Sequence, residues 1–352
     1  MEIILFGVIL HFIGGFASGS FYIPYKKVSG WAWESYWITG GLVSWLIVPL
    51  IAAQLTVPGW VEILRNADTG TLLWTYLFGV LWGIGGLTFG LTMRYLGLSL
   101  GMSLVLGLTS ALGALMSALY RDLFTDATEG TLTSMLASQG GHWVLWGVAI
   151  SLVGIAICGK AGLIKEREVP EAVKFASISE FSVPKGLLVA VISGVLSACF
   201  SYGISAGRPL AAAAVEHGAN SLFQNNVTFM VIMWGGLTTN GLWCLWLNWR
   251  NRTFHNYTDR NTPLLRNYLL VAVAGTLWFL QFFFYGMGES RLQNDASSWV
   301  LHMSFIIIVS NCWGLYLREW QGTSATNKAV LLAGIAVVLG AIAMVGYGNY
   351  LG

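Results

Sequence analysis

Charge is scarce in this chain: Asp, Glu, Lys and Arg make up 10% of its 352 residues, against 56% hydrophobic. A soluble domain carries about a quarter charged residues, so a water-solvated fold is excluded. A mean hydropathy of +0.67 points the same way. Cysteine is sparse too. Cys158, Cys199, Cys244 and Cys312 have no paired spacing and no His beside them, so neither disulfides nor a metal site is implied. They are expected to be small buried hydrophobes. There is no His-Glu-x-x-His and no nucleophile paired with a base, so an enzyme is not expected. Nor is a cofactor or a nucleic-acid partner. The alternation of a membrane barrel strand over about ten residues is missing as well.

The hydrophobic runs that are present are continuous and long. About 20 apolar residues cross the roughly 30 Å hydrocarbon layer. Ten such runs are predicted, at 3–22, 36–56, 72–93, 97–120, 142–159, 186–207, 221–247, 267–288, 297–317 and 328–349. The first has Glu2 and no Lys or Arg at its start, unlike a signal peptide, and is kept as a span. The expected fold is therefore all-α, a polytopic membrane protein.

Two features order these runs. Gly79-Val80-Leu81-Trp82 returns as Gly275-Thr276-Leu277-Trp278, with Gly90 and Gly286 each eight residues after the Trp. Gly15-x-x-Ser18-x-x-Phe21 returns as Gly194-x-x-Ser197-x-x-Phe200, and Gly147-x-Ala149-x-x-Leu152 as Gly334-x-Ala336-x-x-Leu339. An internal repeat is the usual build of a secondary transporter, with the substrate near the midplane between the copies. Residues 1–159 and 186–352 are the expected repeats, and 160–185 their linker. Five spans is an odd number, so the second copy is inverted. Of the 18 Lys and Arg, 14 fall in links on the linker's side and 4 (Arg65, Arg121, Arg208, Arg291) on the other. The positive-inside bias makes the linker cytoplasmic and both termini periplasmic. Gly-x-x-x-Gly spacings at Gly15/Gly19, Gly79/Gly83, Gly86/Gly90, Gly97/Gly101 and Gly203/Gly207 mark close helix approaches.

Polar residues deep in the spans are few. All sixteen acids fall outside the middle of the predicted runs, Glu34 and Asp295 being the nearest. At about 1.5 Å per residue, His11, Gln281 and His302 lie roughly 9–12 Å below the outer ends of their helices, and Trp82 and Trp278 roughly 15 Å down. Asn225 and Asn226 stand about a turn into the seventh run. Each has an ordinary structural role: a membrane Trp in the packed core or the interface, a His bonded to a neighbouring helix, Lys26 and Lys27 snorkelling to the surface. Gln281 needs a hydrogen-bond partner in any case, since an unsatisfied buried amide costs a few kcal/mol.

The segments Phe21-Tyr22-x-Pro24-x-Lys26-Lys27-Val28, Trp31-x-Trp33-Glu34 and Leu91-Thr92-Met93-Arg94-Tyr95-Leu96-Gly97 carry a resemblance. So do Trp278-x-Leu280-Gln281-Phe282-Phe283-Phe284-Tyr285 and Ser298-Trp299-x-Leu301-His302-Met303-Ser304-Phe305. On these, the chain closely resembles the L-rhamnose–proton symporter family of the drug/metabolite transporter superfamily. The resemblance implies ten helices in two inverted five-helix repeats, and uptake of L-rhamnose with protons across a bacterial inner membrane. An exporter or exchanger of other small metabolites on the same ten-helix plan is the alternative. A neutral deoxy sugar calls for a few polar groups and an apolar wall. Gln281, His302, His11 and Asn226 are the expected hydroxyl partners, and Trp82, Trp278 and Tyr22 the walls. The coupling ion is H+. Histidine titrates near neutrality without tuning, so His11 or His302 is preferred as its carrier, with Glu34 (held by Lys27) or Asp295 next. The oligomeric state is not legible.

Overall fold

A computed structural model describes residues 2–96, 98–124, 126, 128, 130–168, 183–292, 294–316, 320 and 322–351. Helices follow one another through the described residues. The first half holds α1 (Glu2–Ser20), a short α2 (Tyr22–Tyr25), and a rod made of α3 (Trp33–Leu42), a π-helical turn (Val43–Ile47) and α4 (Val48–Thr56). Then come short α5 (Trp60–Asn66), α6 (Thr69–Leu96), α7 (Leu98–Phe124), short α8 (Leu132–Ala137) and α9 (Gln139–Glu168). The second half holds α10 (Val183–Ala206), short α11 (Arg208–Glu216), α12 (Asn226–Asn251), α13 (Leu264–Leu292), α14 (Asp295–Tyr316) and α15 (Ala325–Leu351). Among the described residues, eight stretches are long and apolar enough to cross a membrane, and α7 and α12 are two further helices of similar length.

The local breaks follow from the sequence. Pro49 lies at the start of α4 and contributes no N–H, and the π turn just before it absorbs the broken hydrogen-bond register. Pro209 lies in the first turn of α11, just after Gly207, so the sixth rod bends there instead of continuing. The seventh run is predicted from 221, yet α12 starts at Asn226: the Asn220 side chain accepts from the Leu222 amide and shapes a separate 3-10 turn (Ser221–Phe223). The eighth is predicted to stop at 288, yet α13 continues to Leu292. Of the predicted linker, 160–168 continues α9 and 183–185 opens α10, while 169–182 lie outside the described residues.

Outward faces carry Leu5, Phe12, Trp146, Leu188, Leu242 and Leu339, all exposed. Exposed apolar faces on helices whose backbone bonds are satisfied internally are what lipid selects. The protein is an all-α, multi-pass membrane protein. Inside, α1 lies on α13 and α14, α10 on α6 and α7, α12 on α6 and on the α3–α4 rod, that rod also on α13, and α9 on α15. α12 is the most central of these, and its first eight residues, Asn226–Met233, are all buried.

Glycines set the closest seams. A Cβ at Gly79 would strike the backbone of Ile232, and one at Gly275 the backbone of Gly40. Gly15 faces Phe305, Gly194 faces Leu108, and Gly147, Gly154 and Gly334 lie in the α9–α15 seam. The Gly86/Gly90 pair differs from expectation: among the described residues no neighbouring atom lies within 4 Å of where either Cβ would sit, and both glycines are exposed. Gly97 lies outside the described residues. Cys158, Cys199 and Cys244 are buried, but Cys312 is exposed, on the outer side of α14.

Candidate functional site

The centre of the molecule is a ring cluster. His11 on α1 and His302 on α14 are both fully buried, with ring centroids 6.2 Å apart. Tyr285 on α13 stands against both, 5.4 Å from His11 and 5.3 Å from His302. Glycines make this approach possible. A Cβ at Gly288 would come 2.7 Å from His11 Nε2, and one at Gly14 would come 2.9 Å from the Gln281 carbonyl and 3.2 Å from the His302 ring. Gln281 is buried alongside.

None of the four imidazole nitrogens, nor the Gln281 amide nitrogen, makes a hydrogen bond among the described residues. An unsatisfied buried polar group costs about 1–3 kcal/mol, so five in one place are expensive for a purely structural core. His302 lies one turn beyond Ser298 on its helix. Beside it, Trp299 donates from Nε1 to the Thr109 carbonyl at 2.9 Å and closes the cluster toward α7.

Next to the cluster runs an aromatic wall. Trp82 and Trp278, the tryptophans of the repeated tetrapeptide, both reach Phe282, at 5.7 and 6.2 Å between centroids. Phe200 lies 4.3 Å from Phe282 and 5.1 Å from Trp82. Trp278 also borders a cavity of about 10 Å³, shared with Phe21, Tyr25, Trp37, Ser44 and Trp45. The indole N–H groups of Trp45 and Trp278 are buried there without an acceptor among the described residues. Ser44 and Trp45 belong to the π turn, a register slip that recurs at functional sites.

The other expected residues stand elsewhere. Asn226 is buried at the start of α12 and donates to Thr56 Oγ1 at 2.8 Å, away from the histidines. Tyr22 is half exposed; its ring meets Phe21 and Tyr25, and Phe21 is the residue against Trp278, at 4.5 Å. Glu34 is buried, accepting from Asn251 Nδ2 at 3.0 Å and Thr253 Oγ1 at 2.8 Å, whereas Lys27 is exposed. The side chain of Asp295 lies outside the described residues. Three residues escaped the sequence reading. Tyr285 links the two histidines, Trp45 lines the cavity, and Glu289, placed beyond a helix end by the predicted span, is buried on α13. The i, i+4, i+8 spacing of Gln281, Tyr285 and Glu289 was the available signal.

The described residues thus bring together two buried histidines with unsatisfied nitrogens and, beside them, an aromatic wall. The family described as L-rhamnose-proton symport protein (RhaT) matches residues 1–350. The chain belongs to this L-rhamnose–proton symport family. It is a family of transporters, not enzymes. Among its members, the L-rhamnose-proton symporters of Yersinia pestis (strain Pestoides F) and Yersinia pseudotuberculosis (strain IP32953) are each 38% identical to the chain over 353 residues. That of Cronobacter sakazakii is 39% identical over 350 residues. In each case the match covers 98% of both chains, so the symporter relationship extends over both halves.

Proposed function

We propose that this protein takes up L-rhamnose, or a closely related 6-deoxy sugar, together with protons across a bacterial inner membrane, by alternating access between two inverted five-helix repeats, 1–159 and 186–352. The linker 160–185 is cytoplasmic and both termini are periplasmic, following the basic links. The observation that carries the reading is the His11–Tyr285–His302 cluster. It joins α1 of the first repeat to α13 and α14 of the second, and its nitrogens have no partner within the described residues.

The inverted repeat is supported by the seams. Exchange of the halves carries the Gly79–Ile232 contact onto Gly275–Gly40, Gly15–Phe305 onto Gly194–Leu108, and the α9–α15 seam onto itself. Each fragment that recurs in the sequence thus packs against the counterpart of its partner's neighbour.

For the sugar, His11, His302 and Gln281 are the hydroxyl partners. Trp82, Trp278 and Phe282 form the wall for the ring face and the methyl group. Trp45 and Trp278 add indole donors. Tyr22 reaches this wall through Phe21, whereas Asn226, bonded to Thr56, stands apart from it. A cavity of about 10 Å³ holds about one water, so a hexose binds in another arrangement of the halves, as alternating access requires. One proton moving with a neutral sugar brings about 2.3 kcal/mol per 100 mV of membrane potential. Glu34 has its charge satisfied by Asn251 and Thr253, which favours the histidines as proton carriers.

The test is purified protein in liposomes given a panel of 6-deoxyhexoses and pentoses. The lumen acidifies with L-rhamnose and its close relatives. No acidification with any sugar overturns the reading and leaves the exporter or exchanger in its place.

A further inference from the structure

Gln281, Tyr285 and Glu289 lie four residues apart along α13 and therefore share one face, a polar stripe about 12 Å long at the helical rise. Its inner end is Gln281 and its middle is Tyr285, between the histidines. Its outer end is Glu289, a buried carboxylate. Glu289 Oε2 accepts from Asn225 Nδ2 at 2.7 Å, and Oε1 lies 3.8 Å from Arg208. Arg208 opens α11 and is 37% exposed, so the outer end of the stripe reaches the surface through a charged pair. The next residue inward, Gly288, abuts His11.

Arg208 and Asn225 both come from the connection between α10 and α12. Arg208 follows Gly207, whose carbonyl accepts from Thr228 Oγ1 at 2.9 Å. Asn225 immediately precedes α12, and its Cβ side faces Gly286. The carboxylate therefore holds the α10–α12 connection down over the end of α13 that leads to the histidines.

We propose that Glu289 is the coupling carboxylate on the outer side of this transporter: it takes the proton from the outer solution, passes it to the His11–His302 pair, and in its charged form latches Arg208 and Asn225 over the site. The proposal rests on the symport reading and on the periplasmic placement of the termini. A proton carried as hydronium in the outer solution converts the carboxylate to the acid and leaves water behind. Its attraction for Arg208 is then lost, the latch opens, and the proton moves inward with the sugar. Among the described residues, Glu289 faces Arg208 on α11; His11 on α1 meets the neighbouring Gly288, His302 on α14 lies beyond Tyr285, and Tyr285 and Arg291 are on its own helix. Glu2 is exposed at the start of α1, and the side chain of Asp295 lies outside the described residues.

The test compares wild type, Glu289→Gln and Arg208→Gln, each full-length in liposomes, for L-rhamnose counterflow and for accumulation driven by an inward proton gradient. Wild-type accumulation must be present, since its absence sinks the symport reading itself and not the role of Glu289. The expected result for Glu289→Gln is counterflow within about threefold of wild type, while gradient-driven accumulation falls at least tenfold. Accumulation at the wild-type level overturns the proposal. So does loss of counterflow in a variant that remains monodisperse, because that marks a structural role. Arg208→Gln keeps the carboxylate and removes the neighbouring positive charge, so its accumulation persists with a pH profile displaced toward alkaline pH. An unchanged profile overturns the latch even where Glu289→Gln fails to fold.

Discussion

Two buried polar clusters sit at opposite ends of the α13 rod, and they are built in opposite ways. Near Trp33 and Thr253, the side chains of Glu34, Ser35, Asn248, Thr253 and Asn256 all have hydrogen-bond partners. Glu34 accepts from Asn251 and Thr253, Ser35 Oγ lies 3.0 Å from the side-chain oxygens of both Asn248 and Asn256, and the Ala32 amide donates to Asn256 Oδ1 at 2.9 Å. Asn267 exchanges hydrogen bonds with the Ser29 backbone, donating at 2.8 Å and accepting at 3.3 Å. The cluster bolts together the ends of the α3 rod, α12 and α13. Around His11 and His302 the reverse holds: the rings touch, yet their nitrogens bond to nothing among the described residues. Satisfied networks rigidify, and unsatisfied ones cost stability unless a ligand completes them. The difference separates the part that holds the helices from the part to which the proposed function assigns the cargo.

Substitutions in the two clusters should therefore fail in different ways. The largest effect is expected from His302→Gln. Gradient-driven L-rhamnose accumulation in liposomes drops at least tenfold while thermal stability stays close to wild type; an unchanged accumulation ratio would erase the distinction. Glu34→Ala does the opposite. It strips Asn251 and Thr253 of their acceptor and costs about 1–3 kcal/mol of stability for the orphaned donors, read as a lower melting temperature in detergent, with the pH profile of uptake unchanged. Trp278→Phe keeps the ring and removes one indole donor. The loss of one hydrogen bond, about 0.5–1.5 kcal/mol, should raise the KM for sugar several-fold and leave the other parameters near wild type.

The smallest effect lies outside the bilayer, where Glu168 meets the start of α15. Its Oε2 accepts from the Ser324 amide at 2.8 Å. The hydrogen bonds of Ser324, side chain and backbone, hold this carboxyl below its ordinary range. A group whose folded-state acidity is depressed in this way adds stability above the unfolded carboxylate range and loses it as pH falls through the folded value. Glu168→Gln should then differ from wild type in melting temperature only slightly at neutral pH, with the gap closing toward acid. A gap that widens toward acid contradicts this assignment.

Much of this cluster was readable before folding. His11, Gln281 and His302 stood out because polar side chains are expensive in lipid and few lie deep. Trp82 and Trp278 stood out because the tetrapeptide around them recurs. Tyr285 was visible only as one more aromatic in a run of aromatics, since no local rule says which ring will meet two histidines from other helices. Glu289 was hidden for a different reason. Hydropathy ends a span where polar residues begin, but α13 runs on to Leu292 beneath the α10–α12 connection, so an apparent surface acid is buried. Asn226 shows the converse: its depth was legible, its partner Thr56 was not.

By itself the sequence determined the solvent, the class and the punctuation. Long apolar runs with few charges select lipid, lipid admits only helices here, and Pro49, Pro209 and the capping Asn220 say where the rods break. The kinship was equally legible in the recurring and family-specific segments. Which polar groups meet was decided only by the tertiary packing. Gly14 and Gly288, with no side chains to hold the helices apart, bring α1, α13 and α14 close enough for His11, His302 and Tyr285 to share one space. That closeness is a sum over three helices far apart in the chain, and no local pattern encodes it.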